Sequence, residues 1–151
     1  MAEYLTRDTV ETVTLNSPIP FLDSIPCNRG NVFHQNGTGI FVLRGNTNNC
    51  FARYEVEFTG NVAIPTDGAI TPVATAIVVS GEERTGSRSI FTPTAVETYG
   101  NVTSRAVVDV PNGCCFTVSA EYVNGTVDTP ATVPTPSISV IDGSLSITRI
   151  A

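Results

Sequence analysis

Residues 50–64, CFARYEVEFTGNVAI, decide the fold. The even positions of this stretch are apolar or amphipathic, whereas the odd positions from 53 to 57 are charged, and only Phe51 breaks the alternation. A period of two predicts a β-strand with one buried face and one solvated face. Because the stretch is longer than an ordinary strand, we expect two strand segments joined by a bend or bulge at Gly60.

The same alternation recurs in residues 102–110 and 114–122, on either side of a Pro-Asn-Gly turn. A tight turn between two alternating runs predicts a β-hairpin. A second hairpin is predicted where an Asn-Gly pair separates residues 31–34 from residues 40–44. In the run 73–79 the large residues stand at odd positions, and the small residues Ala74 and Ala76 would let another layer or subunit approach closely.

Eight to ten short strands, many turn signals and almost no helical periodicity predict an all-β fold. The pattern is typical of an antiparallel sandwich of the jelly-roll kind. The chain has 151 residues, which is the size of one domain. We expect a single jelly-roll domain over residues 18–151, preceded by an N-terminal arm or first strand at residues 1–17.

The charge composition restricts the classes of partner. Charged residues make up 15% of the chain, and fourteen Asp and Glu outnumber eight basic residues, all of them arginine, for a net charge of −6. Without a basic patch we expect no nucleic-acid partner. No apolar run is long enough to span a membrane, and residues 1–15 do not have the pattern of a signal peptide, so we expect no membrane partner. Low charge favours a large flat contact between copies, although a β-rich domain covered in Thr, Ser and Asn is the open alternative.

The residues that usually carry chemistry are few. A Ser-His-Asp triad would have to use His34, the only histidine, without any G-x-S-x-G motif, so we expect no catalytic residue. The cysteines Cys27, Cys50, Cys114 and Cys115 form no C-x-x-C pattern, so we expect no metal site and no cofactor. Cys50 and Cys114 fall on apolar phases and are expected to be buried thiols, with a disulfide that involves Cys27, Cys50 or Cys115 as the alternative.

Four residues are candidates for a contact between copies. Phe51 is an aromatic side chain on the wet face of the main strand, where Arg53 lies two residues further on. Ala74 and Ala76 are the small residues of the run 73–79. The carboxylates that share the wet face with Arg53 are expected to form cross-strand ion pairs rather than a catalytic pair.

Four segments carry a resemblance to a known family: GSLSITRIA at 143–151, FARYEVEFTGNVAIP at 51–65, VATAIVV at 73–79 and VDVPNGCCFTVSAEY at 108–122. They resemble TNF/C1q-like jelly-roll domains, in particular the C-terminal domain of collagen-like exosporium glycoproteins, as found in Firmicutes and their phages. The similarity covers roughly residues 18–151. It implies a ten-strand jelly roll of which three copies pack around a threefold axis, with no catalytic residues to carry over. This chain differs from the spore-surface members because no Gly-X-Y collagen stalk precedes the domain.

The leading hypothesis is a non-enzymatic structural protein: a homotrimeric virion component of a phage, such as a capsid decoration or head-fibre protein. It would stand on the virion surface and attach to the capsid through the arm at 1–17. The alternative is a spore- or cell-surface adhesin that recognises glycan or protein through loops such as 80–88 and 126–137. An enzyme that depends on His34 is the third possibility.

Overall fold

The computed structural model describes residues 2–5, 11–25, 31–35, 37–125 and 137–151. Within these residues the secondary structure is β-strand, apart from one 3₁₀ turn at Thr85–Ser87. No helix in this part of the chain is long and apolar enough to cross a membrane. The strands are β1 (Ala2–Leu5), β2 (Glu11–Val13), β3 (Asp23–Ile25), β4 (Val32–His34), β5 (Phe41–Arg44), β6 (Phe51–Ala63), β7 (Val73–Val79), β8 (Glu82–Glu83), β9 (Ser89–Phe91), β10 (Gly100–Pro111), β11 (Cys115–Asn124) and β12 (Ile138–Arg149).

The strands form two antiparallel sheets that pack face to face. The front sheet has the order β10-β6-β12-β1-β3, and β2 also pairs with β12. The back sheet has the order β4-β5-β11-β7-β8, and β9 also pairs with β7. This architecture confirms the predicted all-β antiparallel sandwich. The described residues contain twelve strands rather than eight to ten, because irregular stretches of the sequence pair as strands of only two or three residues.

The alternation in β6 is confirmed, but the predicted interruption at Gly60 is wrong. The even positions of β6 are buried along its whole length, and the strand runs unbroken for 13 residues. The irregularity lies instead in the neighbouring strand β12, where the register shifts between Ile141 and Ser144. A Cβ atom on Gly60 would lie 3.4 Å from the Cα atom of Gly143 and 2.8 Å from the Phe58 ring. The glycine therefore leaves room for the Phe58 ring beside it, while the distance to Gly143 is an ordinary van der Waals contact.

One of the two predicted hairpins is confirmed and the other is wrong. Strands β4 and β5 pair as expected for residues 31–44. Strands β10 and β11 do not pair with each other: β10 pairs with β6 in the front sheet, and β11 pairs with β5 and β7 in the back sheet. The turn at 111–114 thus carries the chain from one sheet to the other. Alternation determines which face of a strand is buried, but it does not determine the neighbouring strand.

The hydrophobic core fills the space between the sheets. Three phenylalanine rings meet there edge to face, with ring centroids 5.7 Å apart for Phe21 and Phe41 and 6.2 Å apart for Phe21 and Phe58. Such arrangements place the positive edge of one ring against the negative face of another. The largest fully buried side chains are Tyr54, Tyr122, Phe21, Phe41, Phe58, Ile19, Leu43, Ile64, Ile77, Ile138 and Leu145.

A buried polar pair joins the two sheets near one edge. The hydroxyl oxygens of Thr75 and Ser104 lie 2.9 Å apart, and the Ser104 hydroxyl donates to the backbone carbonyl oxygen of Thr75 at 3.0 Å. Both side chains are buried, and a buried hydroxyl that loses its partner is costly. The pair therefore fixes β7 of the back sheet against β10 of the front sheet.

Substitutions at this pair should have unequal effects. Ser104→Ala removes both hydrogen bonds and deprives the Thr75 hydroxyl of its acceptor, so we expect a loss of about 1–3 kcal/mol in the free energy of unfolding. Thr75→Val preserves shape and leaves the bond from Ser104 to the carbonyl, so its loss should be smaller. Urea denaturation of both variants measures the difference. A loss for Thr75→Val that equals or exceeds that for Ser104→Ala would contradict this assignment.

Residues 1–17 contribute two strands to the front sheet. Strand β1 pairs with β12 and β3, and β2 pairs with β12. Residue 1 and residues 6–10 lie outside the described residues. The described part of this segment is thus built into the sandwich, and the boundary between an arm and a domain at residue 18 stays a prediction.

Candidate functional site

The outer surface of the front sheet is broad and largely uncovered. Directly paired residues of neighbouring strands point to the same side of a sheet. The odd positions of β6 therefore share this side with the odd positions of β10 and, beyond the register shift, with Ser144, Ser146 and Thr148 of β12. We call this surface the front face. Its members from the three strands include Phe51, Arg53, Glu55, Glu57, Thr59, Thr103, Arg105, Val107, Asp109, Ser144, Ser146 and Thr148.

Two large apolar side chains stand exposed on the front face. Phe51 is 40% exposed and Val107 is 48% exposed. The guanidinium carbon of Arg53 lies 5.2 Å from the centre of the Phe51 ring, within the range of a cation–π interaction. The predicted exposure of Phe51 is therefore confirmed, and the ring is held beside a charged group rather than in the core.

Two ion pairs cross the strands of the front face, as predicted for Glu55 and Arg53, whereas Glu57 forms no ion pair with a described residue. Arg53 donates two hydrogen bonds to the carboxylate of Asp109, at 2.7 and 3.0 Å, and Arg105 donates one to Glu55 at 2.9 Å. The hydrogen bond from Arg53 holds the pKa of the Asp109 carboxyl below its usual range, and the same bond raises the pKa of Arg53. The Arg53–Asp109 pair lies between Phe51 and Val107 in the register, so the charges that separate the two apolar side chains already neutralise each other.

The four predicted contact residues do not lie together. Phe51 and Arg53 are on the front face, whereas Ala74 and Ala76 are on β7 of the back sheet. Ala74 and Ala76 are 1% and 0% exposed within a single chain, where they cluster with Val123 apart from the main core. They are therefore covered before any second copy arrives, and only Phe51 and Arg53 are available to one. Whether these two form a contact stays a prediction.

His34 occupies a structural position in β4. Its ring stacks on the ring of Phe41 with centroids 4.3 Å apart, and its Nε2 atom lies 2.8 Å from the carbonyl oxygen of Thr38. These contacts hold the ring at the turn between β4 and β5. They account for a histidine at this position without any chemistry.

The prediction that Cys50 and Cys114 are buried is wrong. Cys50, Cys114 and Cys115 are free, exposed thiols, and Cys27 lies outside the described residues. The apolar phase of each strand was extended one position too far, because Cys50 precedes β6 and Cys114 belongs to the turn between the sheets. Within the described residues no three His, Cys, Asp or Glu side chains are grouped as metal ligands.

An open polar depression lies at the end of the sandwich where these thiols are found. Its volume is about 570 Å³. We call it the polar depression; its lining residues are Asn46, Thr47, Asn48, Asn49, Asn112 and Arg149. The residues come from the loop before β6, the turn after β10 and the last position of β12. The concentration of asparagine in residues 46–49 is the one signal of this site in the sequence.

The loop that supplies most of the polar depression is fastened at both ends to the neighbouring turn. Gly45 donates its backbone N–H to the carbonyl oxygen of Cys114 at 2.9 Å and accepts the N–H of Gly113 at 3.1 Å. Asn112 donates its N–H to the carbonyl oxygen of Cys50 at 3.0 Å. The loop is also held from the core, because the Tyr54 hydroxyl donates to the carbonyl oxygen of Arg44 at 2.5 Å. Burial raises the pKa of the Tyr54 hydroxyl, so the group stays protonated and remains a donor.

Gly45 is required for this close approach, and its substitution should be destabilising. A Cβ atom at Gly45 would lie 2.0 Å from the carbonyl oxygen of Pro111, which is backbone and cannot rotate away. We expect Gly45→Ala to lower the free energy of unfolding by about 1–3 kcal/mol, the usual range for overpacking. Gly86→Ala is the matched control, since nothing lies within 4 Å of its Cβ position. Thermal or urea denaturation of both variants gives the comparison, and equal stability of the two would contradict the close approach.

Comparison with known proteins shows the fold. No protein-family profile matches the sequence, and no curated protein matches it. Solved structures do match. The globular domain of zebrafish complement 1qA protein has a TM-score of 0.58 at 15% identity, over 94% of this chain and 93% of that chain. Eiger TNF from S. frugiperda has a TM-score of 0.66 at 8% identity, over 100% and 92%. Murine APRIL at pH 5.0 has a TM-score of 0.55 at 10% identity, over 95% and 96%. The chain therefore has the TNF/C1q-like jelly-roll fold, which confirms that part of the resemblance.

Proposed function

We propose that the chain is a non-enzymatic structural protein that assembles as a homotrimer through its front face. The observation that carries the proposal is the composition of this face: exposed Phe51 and Val107 on a broad sheet whose neighbouring charges are paired within one chain. The likeness of the fold to C1q and TNF domains supports it. Charged residues make up only 15% of the chain, and the cores of protein interfaces are depleted in charge.

The internal ion pairs make burial of the front face less costly. A charged group that loses water in an interface is destabilising unless it retains a partner. Asp109 accepts both bonds from Arg53, and Glu55 accepts one from Arg105, before any second copy arrives. A second copy can therefore cover Phe51 and Val107 without leaving these two carboxylates unpaired.

The location that we propose for the trimer is the surface of a phage particle, as a capsid decoration or head-fibre protein. The support is the resemblance of residues 51–65, 73–79 and 108–122 to small jelly-roll proteins of Firmicutes and their phages. The proposed attachment to the capsid is through residues 1–17, of which Ala2–Leu5 and Glu11–Val13 are strands of the front sheet.

Immunogold electron microscopy of phage particles purified from the producing culture tests the proposed location. Antibody against the recombinant chain should label intact particle heads at regular positions. Label on spores or cell surfaces, with none on particles, would contradict the virion assignment and favour a surface adhesin.

A binding module at a spore or cell surface is the second candidate function, and the polar depression favours it. Of the two loops first considered for recognition, residues 80–88 contain an internal ion pair between Arg88 and Glu83 at 2.6 Å. Residues 126–136 of the other loop lie outside the described residues. A glycan array tests this function. Binding that persists when residues 80–88 are replaced would exclude this loop as the binding site and favour the polar depression.

A further inference from the structure

The polar depression offers an unusual density of groups that both donate and accept hydrogen bonds. Asn46, Asn48, Asn49 and Asn112 each carry an amide with two donors and one acceptor oxygen, and Thr47 carries a hydroxyl. Sugar hydroxyls likewise donate and accept, so adjacent amides match adjacent hydroxyls. The lining residues include no apolar side chain that would favour a peptide or a lipid.

A single positive charge faces this amide-lined space. Arg149 donates from Nε to the carbonyl oxygen of Ala151 at 3.2 Å. Arg53, Arg88 and Arg105 each bind an Asp or Glu side chain, whereas Arg149 binds no Asp or Glu side chain among the described residues. The lining of the polar depression likewise contains no Asp or Glu. A guanidinium in such a setting is suited to bind the planar carboxylate of a ligand through paired hydrogen bonds.

The lining is also formed in advance. The three backbone bonds that join residues 45 and 50 to the turn at 112–114 fix both ends of the loop. Inside the loop, the N–H of Asn49 donates to the hydroxyl oxygen of Thr47 at 3.1 Å. A site that is ordered before binding loses less conformational entropy when a ligand arrives.

We infer that the polar depression binds an acidic saccharide, with the carboxylate of a uronic- or sialic-acid residue on Arg149 and the ring hydroxyls on the asparagine amides. The inference rests on the geometry of one chain and goes beyond the proposed assembly. It adds a recognition site at the end of the sandwich.

Saturation-transfer NMR and calorimetry with defined sugars test the inference. Glucuronic acid and N-acetylneuraminic acid should bind the wild-type protein, whereas the methyl ester of glucuronic acid and glucose should bind at least about tenfold more weakly, because they lack the charge that Arg149 recognises. Acetate, which has the carboxylate without the hydroxyls, should also bind more weakly than either sugar acid. Equal binding of acid and ester, equal binding of acetate and the sugar acids, or no binding of any sugar acid would each overturn the inference.

Variants locate the site. Arg149→Gln should weaken binding of glucuronic acid at least about tenfold, and the isosteric change Asn48→Asp should weaken it by placing a like charge opposite the carboxylate. Arg84→Gln and Asn101→Asp are the matched controls, since both residues lie outside the polar depression, and they should leave binding unchanged. Unchanged binding in both Arg149→Gln and Asn48→Asp, with unchanged melting temperatures, would overturn the assignment. Light scattering on the same samples reports the oligomeric state, so a failure of this inference is distinguishable from a failure of the proposed trimer.

Discussion

Phe58→Ala is expected to lower the free energy of unfolding by about 3–5 kcal/mol, the range found when a buried aromatic ring is truncated. Phe58 is 0% exposed and occupies the middle of β6, between β10 and β12 of the front sheet. Its ring meets the ring of Phe21 edge to face across the core. Removal of the ring leaves a cavity at the centre of the sandwich, where rigid strands on both sides prevent collapse.

Urea denaturation at one fixed protein concentration measures this loss, because the stability of an assembled protein depends on concentration. Phe33→Ala is the control: Phe33 is 56% exposed on β4, so its truncation should cost less than about 1 kcal/mol. Similar losses for the two variants would show that the even positions of β6 do not form the centre of the core.

Phe51→Asp is expected to convert the assembled protein to monomers of 16.0 kDa. In the proposed trimer Phe51 is covered by a second copy, and burial of an unpaired carboxylate costs several kcal/mol in an apolar contact. Arg53 compensates for the new charge only in part, because its own charge is already paired with Asp109. Val107→Asp should act in the same direction, since Val107 is the other exposed apolar side chain of the front face.

Phe33→Asp is the matched control for the assembly, because it introduces the same charge in place of the same exposed ring on the back sheet. Size-exclusion chromatography with light scattering should show that this variant retains the wild-type mass. If Phe33→Asp dissociates the assembly while Phe51→Asp and Val107→Asp leave it intact, the interface lies on the back sheet and the proposal for the front face is wrong.

The buried and exposed faces of the strands could be predicted from the sequence, but their neighbours could not. Apolar and polar residues alternate in β6 and β10 because one side of each strand is buried, so the buried side can be identified from the sequence. Pairing depends on the whole fold. For that reason the sequence pattern predicts a hairpin at 111–114, where the turn joins two different sheets. It likewise predicts a bend or bulge at Gly60, whereas the extra residues lie in β12.

Errors at the ends of strands had a related cause. The alternation includes Cys50 and Cys114, although both are exposed, because it contains no signal for the position where a strand leaves the core.

The polar depression could not be predicted from the sequence pattern. Its lining comes from residues 46–49, 112 and 149, which are distant in sequence and meet only because β6, β10 and β12 are neighbours in the front sheet. By contrast, the cross-strand ion pairs of Arg53 and Glu55 were predictable, because charges on the wet face of one strand favour opposite charges on the next.

The mass of the wild-type protein in solution tests the proposed assembly most directly. Sedimentation equilibrium at micromolar concentration should give a single species of three times 16.0 kDa. A mass of 16.0 kDa at every concentration would contradict the assembly through the front face and leave the jelly roll as a monomeric module.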